Sequence, residues 1–166
     1  MMGMVESEAT RLLHERPLET FWSPQGTVDI WRPTSQIIVT RVVGMLREGG
    51  AAAIEAAVRR QIMEGYRHIG FHDWEEMTDY EPNSRTRLTA LGVTTLHTLE
   101  GAHFLLRSRV VTFGVQVANI IVKKLTVYPT RAEFEQALTA ALRTQGHAPS
   151  SGTKPPSLRR PPLSEG

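Results

Sequence analysis

A run of acidic residues in the middle of the chain is the densest group of side chains that could do chemistry. It comprises Asp73, Glu75, Glu76, Asp79 and Glu81. Neighbouring carboxylates can act as general acid and base, whereas most acidic loops are simply solvated. A third interpretation is a docking loop for a protein, anchored by a partly exposed Trp74. The candidate partner-binding residues are Asp73, Trp74, Glu75, Glu76, Asp79 and Arg85.

Two histidines precede this run, with Gly70 midway between them. On a strand, His68 and His72 lie on the same face but about 13 Å apart. A single ion held about 2 Å from each imidazole cannot easily bridge that separation. We therefore expect no metal site, and we interpret His72 as a residue that caps the end of a strand.

The sequence motifs of common catalytic and cofactor sites are absent. The chain has no cysteine, which excludes disulfides, thiolate nucleophiles and cysteine metal ligands. It has no Gly-x-Ser-x-Gly, no Gly-x-Gly-x-x-Gly and no P-loop. We interpret Gly44, Gly49 and Gly50 as turn residues. We therefore expect that the protein is not an enzyme and uses no cofactor.

The elements that would position these residues alternate between strands and helices. Alternating or β-branched patterns predict strands at 27–31, 36–43, 68–71, 103–106 and 125–128. Apolar residues three and four apart predict helices over 51–65, from Pro82 onward and after Thr130. The first two strands are close enough to pair as a hairpin, and 75–81 is predicted to be a loop.

The segment 110–122 fits either a helix or a strand. Val111, Val115 and Val122 have helical spacing, whereas Val111, Phe113 and Val117 alternate as in a strand, and periodicity alone does not decide. As a helix it gives the order β-β-α-β-α-β-α-β-α. That order predicts an α/β sandwich with a mostly parallel sheet after the hairpin.

As a helix, this segment would be apolar on nearly all sides, so that one stripe could face the sheet while a second would need cover. The second stripe is a candidate hydrophobic interface that consists of Phe113, Val117, Ile120 and Ile121. Two interpretations remain open: the N-terminal segment covers it, or it forms a dimer or partner surface.

Composition and charge indicate one ordinary globular domain. The chain is 40% hydrophobic and 22% charged. We expect a polar lead over 1–25 with one short helical pattern near Glu8 to Glu15, the domain over 26–144 and a disordered, proline-rich basic tail over 145–166. The tail accounts for the pI near 9.3, so we expect no nucleic-acid partner. The absence of an apolar run of about 20 residues predicts no membrane span. Acidic residues near the N-terminus argue against a secretory signal, so we expect a cytoplasmic protein.

The order of elements, together with three short motifs, resembles a STAS domain, the fold of bacterial anti-sigma-factor antagonists and of sulfate-transporter tails. The motifs are Gly44-Met45-Leu46 as a turn before a helix, Asp73 after the third strand, and Phe134-Glu135-Gln136-Ala137-Leu138 in the last helix. The resemblance covers about 26–142. It implies a STAS-like α/β fold whose mixed, mostly parallel sheet has an N-terminal hairpin and helices packed on it, as in single-domain relatives of lipid-binding folds.

The resemblance also points to Ser84 as a candidate phosphorylation site. The family's regulatory Ser or Thr follows an Asp at the start of the second helix, and Asn83-Ser84-Arg85 lies there in this chain. The Asp of that signature and its Gly are missing. In the first turn of a helix, free N–H groups and the helix dipole would favour an anion. We therefore expect that the fold tolerates a phosphate on Ser84.

The resemblance implies a non-enzymatic regulatory module of bacterial-type signalling that binds a protein partner. A homodimer is one form of that interaction, and phosphorylation of Ser84 is a candidate switch. The alternative is a small-molecule or lipid-binding domain with a pocket between the sheet and the helices.

Overall fold

The structure is a computed structural model and describes residues 5–146. The helices in this range are Glu8–His14 (α1), Glu48–Met63 (α2), Pro82–Thr94 (α3), Arg109–Val122 (α4) and Arg131–Gly146 (α5). The strands are Glu19–Ser23 (β1), Gly26–Trp31 (β2), Ile37–Leu46 (β3), His68–Trp74 (β4), Met77–Tyr80 (β5), Leu99–Leu106 (β6) and Leu125–Tyr128 (β7). Nearly all of the predicted tail, from residue 147 onward, lies outside the described residues.

The strands form one mixed sheet in the order β1-β2-β3-β4-β6-β7. The strands β1, β2 and β3 pair antiparallel, whereas β3, β4, β6 and β7 pair parallel. The short β5 pairs with the end of β3, beyond the part of β3 that pairs with β4. This arrangement confirms the predicted fold class, a mostly parallel mixed sheet with an N-terminal hairpin.

Helices cover both faces of the sheet, so that two apolar clusters form. The helices α2, α3 and α4 pack on one face, where the cluster includes Ile54, Leu91 and Val115. On the other face α1 and α5 pack together, and that cluster includes Leu12 and Phe134. Strand residues of β4 and β6 alternate between the two clusters, because successive side chains of a strand point to opposite faces.

The segment that could be a helix or a strand is α4, and both of its ends have helix caps. At its N-terminus, Ser108 Oγ accepts a hydrogen bond from the N–H of Val111. At its C-terminus, Lys123 has a left-handed backbone with a φ of 58°, and its N–H donates to the carbonyl of Asn119 at 2.9 Å. Such caps satisfy backbone groups that the helix itself leaves unpaired.

The short helix predicted in the N-terminal lead is present as α1, but the expectation that residues 5–25 lie outside the folded domain is wrong. The strand β1 extends the sheet by pairing with β2, and Ala9, Leu12 and Leu13 of α1 are buried. The indole N–H of Trp31 donates to the carbonyl of Glu15 at 3.1 Å, which ties the end of α1 to the sheet. The folded unit therefore begins well before Gly26.

The expected loop at 75–81 is also wrong, because Met77–Tyr80 forms β5. The strand β3 runs on to Leu46, so Gly44-Met45-Leu46 is part of a strand and not a turn. Gly44 has a φ of +77° at the point where the register between β3 and β5 shifts. That conformation favours glycine. The N–H of Gly44 donates to the carbonyl of Glu76 at 3.0 Å.

Candidate functional site

Asp73, predicted to lie in a docking loop, is buried in the last part of β4 and is 2% exposed. Arg131, at the start of α5, donates from Nη2 to Oδ1 at 2.8 Å and from Nη1 to Oδ2 at 3.2 Å. Arg41 on β3 also donates to Oδ2, from Nε and from Nη2, at 3.4 Å each. A carboxylate held by two guanidinium groups in this way ties elements of the fold together. Asp73 is therefore not available to a partner at the surface.

Trp74, the expected exposed anchor, is also buried, with 6% of its surface exposed. Its ring packs against Phe104, with ring centroids 5.1 Å apart. Its indole N–H donates to Thr40 Oγ1 at 2.9 Å. The expectation of a partly exposed aromatic anchor is therefore wrong, because the strand continues through Trp74 and turns its side chain into the core.

The remaining candidate partner-binding residues do not form one continuous acidic surface. Glu75 accepts a hydrogen bond from Arg131 Nε at 3.1 Å. Glu76 and Asp79 are exposed on the turn and on β5, and Asp79 Oδ1 accepts from the N–H of Tyr80 at 2.8 Å. Arg85 is exposed on α3 and lines an apolar cavity beneath that helix.

Ser84 lies in the first turn of α3, as predicted, but it is fully buried. Its hydroxyl donates to the carbonyl of Leu46 at 3.1 Å, and its N–H donates to the carbonyl of Glu81 at 2.9 Å. A phosphate would not fit against Leu46 without moving the start of α3 away from β3. The expectation that the fold tolerates a phosphate there is wrong, and phosphorylation of Ser84 stays a prediction without support from the packing.

The outer side of α4 carries an exposed apolar surface, which we call the α4 stripe. It consists of Val110, Phe113, Val117, Ile120 and Ile121. Phe113 is 63% exposed, Ile120 is 72% exposed, and Val117 is half-buried. The opposite side of the helix is buried against the sheet at Val111 and Val115. The predicted second stripe is thus on one face of a real helix, extending over about 16 Å.

The N-terminal segment does not cover the α4 stripe. The helix α1 packs with α5 on the opposite face of the sheet, and Ala9 N–H donates to Thr139 Oγ1 at 3.2 Å. This removes one of the two interpretations that the sequence left open, as far as residues 5–25 are concerned. Large apolar side chains that remain exposed together are typical of interaction surfaces.

A buried group of polar side chains on β4 was missed by the sequence analysis. His72 is 6% exposed, and its Nδ1 lies 2.7 Å from Thr40 Oγ1. His68 is 5% exposed, and its Nδ1 lies 2.7 Å from Gln61 Oε1. His72 therefore does not cap a strand end. The alternation of His68, Gly70, His72 and Trp74 on one strand face was the signal that could have placed both imidazoles in the core.

Burial shifts the titration of both imidazoles. It lowers the pKa of His68 to about 4. Burial, together with repulsion from His68 and His103, lowers the pKa of His72 to about 3. Both rings are therefore neutral at pH 7 and can each donate one hydrogen bond and accept one. Among residues 5–146 no group of three acidic, histidine or cysteine side chains could hold a metal ion.

None of the helices within residues 5–146 combines the length and the apolar character needed to cross a bilayer.

Comparisons with known proteins give likenesses of fold only. No family model matches the chain, and no curated protein matches it. One similar solved structure is an anti-sigma factor antagonist from Mycobacterium paratuberculosis, with 17% identity, a TM-score of 0.49, and coverage of 70% of this chain and 97% of that chain. Another is an uncharacterized protein of the DUF3478 family from Shewanella loihica PV-4, which has a SpoIIAA-like fold. It has 12% identity and a TM-score of 0.50, and the match covers 71% of this chain and 98% of that chain.

The topology of the sheet agrees with the second of these likenesses. An antiparallel start, parallel pairing of β3, β4, β6 and β7, and helices on both faces form one α/β unit. The chain therefore has a STAS-like fold of the SpoIIAA type.

Proposed function

We propose that the protein is a non-enzymatic regulatory module that binds proteins through the α4 stripe. The observation that carries this proposal is the exposure of Phe113, Ile120 and Ile121 together on one face of a helix whose other face is in the core. Burying one such side chain contributes about 1.5–3 kcal/mol. A partner that covers the whole stripe gains a corresponding driving force for association.

The first partner that fits the α4 stripe is a second copy of the chain. Within α4 the only charged residue is Arg109, at the N-terminal end. A twofold contact places the same surface of both copies face to face, and an uncharged stripe meets its own copy without repulsion between like charges. Val117, at the middle of the stripe, would then lie close to the twofold axis.

The acidic segment supports the proposal in a different way from that expected from the sequence. Asp73 joins β4 to β3 and α5 through its two arginines, and Trp74 fixes the sheet beneath α3 and α4. These residues stabilise the sheet against which α4 packs. A rigid scaffold lowers the entropy that a binding surface loses on association.

Sedimentation velocity of the full chain tests the proposal. We expect a monomer–dimer equilibrium between about 1 and about 100 μM. Phe113→Glu combined with Ile120→Glu should weaken it at least about tenfold, because two charges would be buried at each half of the contact. Met63→Glu is the matched control, since Met63 is 86% exposed at the end of α2, away from the stripe. A wild-type chain that stays monomeric throughout contradicts self-association through this face.

A further inference from the structure

Two adjoining cavities lie between the sheet and the helices α2, α3 and α4. Each has a volume of about 90 Å³, and Trp74, Leu88 and Phe104 line both. The one bounded by β4, β6, α2 and α3, which we call the inner cavity, also contains His68 and His72. A dry cavity of about 150 Å³ can accommodate benzene. The two cavities together therefore have room for a molecule with one six-membered ring.

The hydrogen bonds of His68 leave an acceptor facing the inner cavity. Gln61 Nε2 donates to the carbonyl of Ser35 at 2.9 Å, which fixes the orientation of the amide. Gln61 Oε1 can then only accept, so His68 Nδ1 carries the proton in the 2.7 Å bond between them. In the neutral ring Nε2 is therefore an unprotonated acceptor, and no described residue donates to it.

The hydrogen bonds of His72 leave a donor instead. Thr40 Oγ1 accepts the indole N–H of Trp74 at 2.9 Å. Among the described residues, the only acceptor within hydrogen-bond distance of its hydroxyl proton is His72 Nδ1, 2.7 Å away, so we infer that Thr40 donates to it. The proton of the neutral His72 ring is then on Nε2. Within the described chain, that N–H also has no hydrogen-bond partner.

Gly70 keeps open the space beside the two Nε2 atoms. A Cβ at this position would lie 2.5 Å from His72 Nε2 and 3.4 Å from His68 Nε2. Gly70 has no positive φ, so a side chain is excluded here by space and not by backbone conformation. Both imidazoles therefore turn toward Gly70, and the acceptor and the donor border the same small space although the two residues lie about 13 Å apart along the strand.

The surroundings of this pair exclude an ion as its ligand. Among the described residues, no Asp, Glu, Lys or Arg lines the inner cavity. A charge in an apolar site without a counter-charge is costly. A metal ion would need lone pairs from both Nε2 atoms, whereas only that of His68 is free. A ligand that fits this pair carries an uncharged group that both donates and accepts a hydrogen bond, and the rest of the ligand is apolar.

We propose that the inner cavity, together with the cavity that adjoins it at Trp74, Leu88 and Phe104, binds an uncharged, largely apolar molecule with one hydroxyl group, which donates to His68 Nε2 and accepts from His72 Nε2–H. Trp74, Leu88 and Phe104 would surround its apolar part. This site is separate from the α4 stripe, which lies on the outer side of its helix.

The first test is the tautomeric state of the two rings in the full chain. Long-range ¹H–¹⁵N spectra at pH 7 should show His68 protonated at Nδ1 and His72 protonated at Nε2. The same tautomer on both rings would remove either the donor or the acceptor and would overturn the proposal.

The second test is a titration with phenol and with toluene, which have similar shapes and differ in the hydroxyl group. We expect saturable binding of phenol that shifts the Nε2 signals of both histidines and is about tenfold tighter than that of toluene. Equal affinities, or unshifted imidazole signals, would overturn the proposal and leave a bound water as the occupant.

Gly70→Ala should abolish phenol binding, since its methyl group would occupy the space beside the nitrogens. Gly101→Ala is the matched control: it is the same substitution on the neighbouring strand, where the added Cβ would lie 3.3 Å from His103 Nε2 outside the inner cavity. Unchanged phenol binding by a folded Gly70→Ala protein would contradict the proposal. If that variant does not fold, the wild-type spectra and the phenol–toluene comparison decide.

Discussion

Arg131 and Asp73 form a two-pronged ion pair between the first residue of α5 and the last part of β4, with Nη2–Oδ1 at 2.8 Å and Nη1–Oδ2 at 3.2 Å. The carboxylate is buried, whereas the guanidinium is partly exposed. Asp73 belongs to a run of acidic residues in the sequence, but in the structure it is paired with Arg131. We call this ion pair the clamp, because it joins the sheet to the last helix.

Removing the guanidinium should therefore destabilise the fold. We expect Arg131→Ala to lower the free energy of unfolding by about 2–4 kcal/mol, because Arg41 alone would remain to neutralise the buried Asp73. Arg59→Ala is the control, since Arg59 pairs with Glu55 on the surface of α2 and should cost less than about 0.5 kcal/mol. Urea unfolding followed by circular dichroism measures both. Equal effects of the two substitutions would contradict the clamp.

There is a physical reason why the sequence around Asp73 predicts an exposed loop. A loop and a strand end are both rich in polar residues, and what separates them here is pairing over long distances. The partners of Asp73 are Arg41 and Arg131, 32 and 58 positions away. The strand β5 has only four residues and depends on β3 for its pairing. No local pattern contains that information.

Other parts of the fold could be predicted because local and tertiary preferences agree. The strand at 125–128 and the helix start at Pro82 have the predicted positions. At the start of α5, where Thr130 and Glu133 have the spacing of a capping box, the N–H of Glu133 donates to Thr130 Oγ1 at 3.2 Å. For 110–122, the local feature that favours a helix over a strand is the cap at Ser108, which lies outside the ambiguous pattern itself.

The burial of Ser84 predicts opposite effects for a negative charge at two adjacent positions. Ser84→Asp should cost about 2–4 kcal/mol, because it places a carboxylate against the carbonyl of Leu46. Asn83→Asp, on the exposed side of the same helical turn, should be neutral or stabilising by about 0.3–1 kcal/mol through the helix dipole. Ser84→Ala should cost about 1 kcal/mol, since Leu46 also accepts from the N–H of Glu81.

Thermal or urea unfolding of these three variants measures the differences. If Ser84→Asp were as stable as wild type, Ser84 would not be packed as described, and a phosphate at that position would become acceptable to the fold.

Acid should destabilise the protein through the buried histidines. Their pKa values in the folded state, about 4 for His68 and about 3 for His72, lie below the usual value of about 6.5 in an unfolded chain. The unfolded state therefore binds more protons as the pH falls below about 6.5, and stability decreases from there to about pH 4. Each histidine contributes about 1.4 kcal/mol per pH unit to the slope of the unfolding free energy against pH. With both contributing, that slope should approach about 3 kcal/mol per pH unit.

The carboxylates Glu55 and Glu64, whose pKa values are lowered by hydrogen bonds from arginines, act in the same direction but only below about pH 4.5. Urea titrations at several pH values between about 4 and 7 measure the slope. His72→Asn should reduce it by about 1.4 kcal/mol per pH unit. A slope that does not change in this variant would mean that His72 is already protonated in the folded protein.

Site-directed photo-crosslinking shows whether the α4 stripe is a protein-binding surface. p-Benzoylphenylalanine replaces Phe113 in the full chain, expressed in the cell from which the protein comes, and replaces Tyr66, a partly exposed aromatic residue outside α4, in the control. We expect light to join position 113 to a second polypeptide, first of all to α4 of another copy, and we expect no such product from position 66. If position 113 forms no more crosslinked polypeptide than position 66, the α4 stripe is not a protein-binding surface.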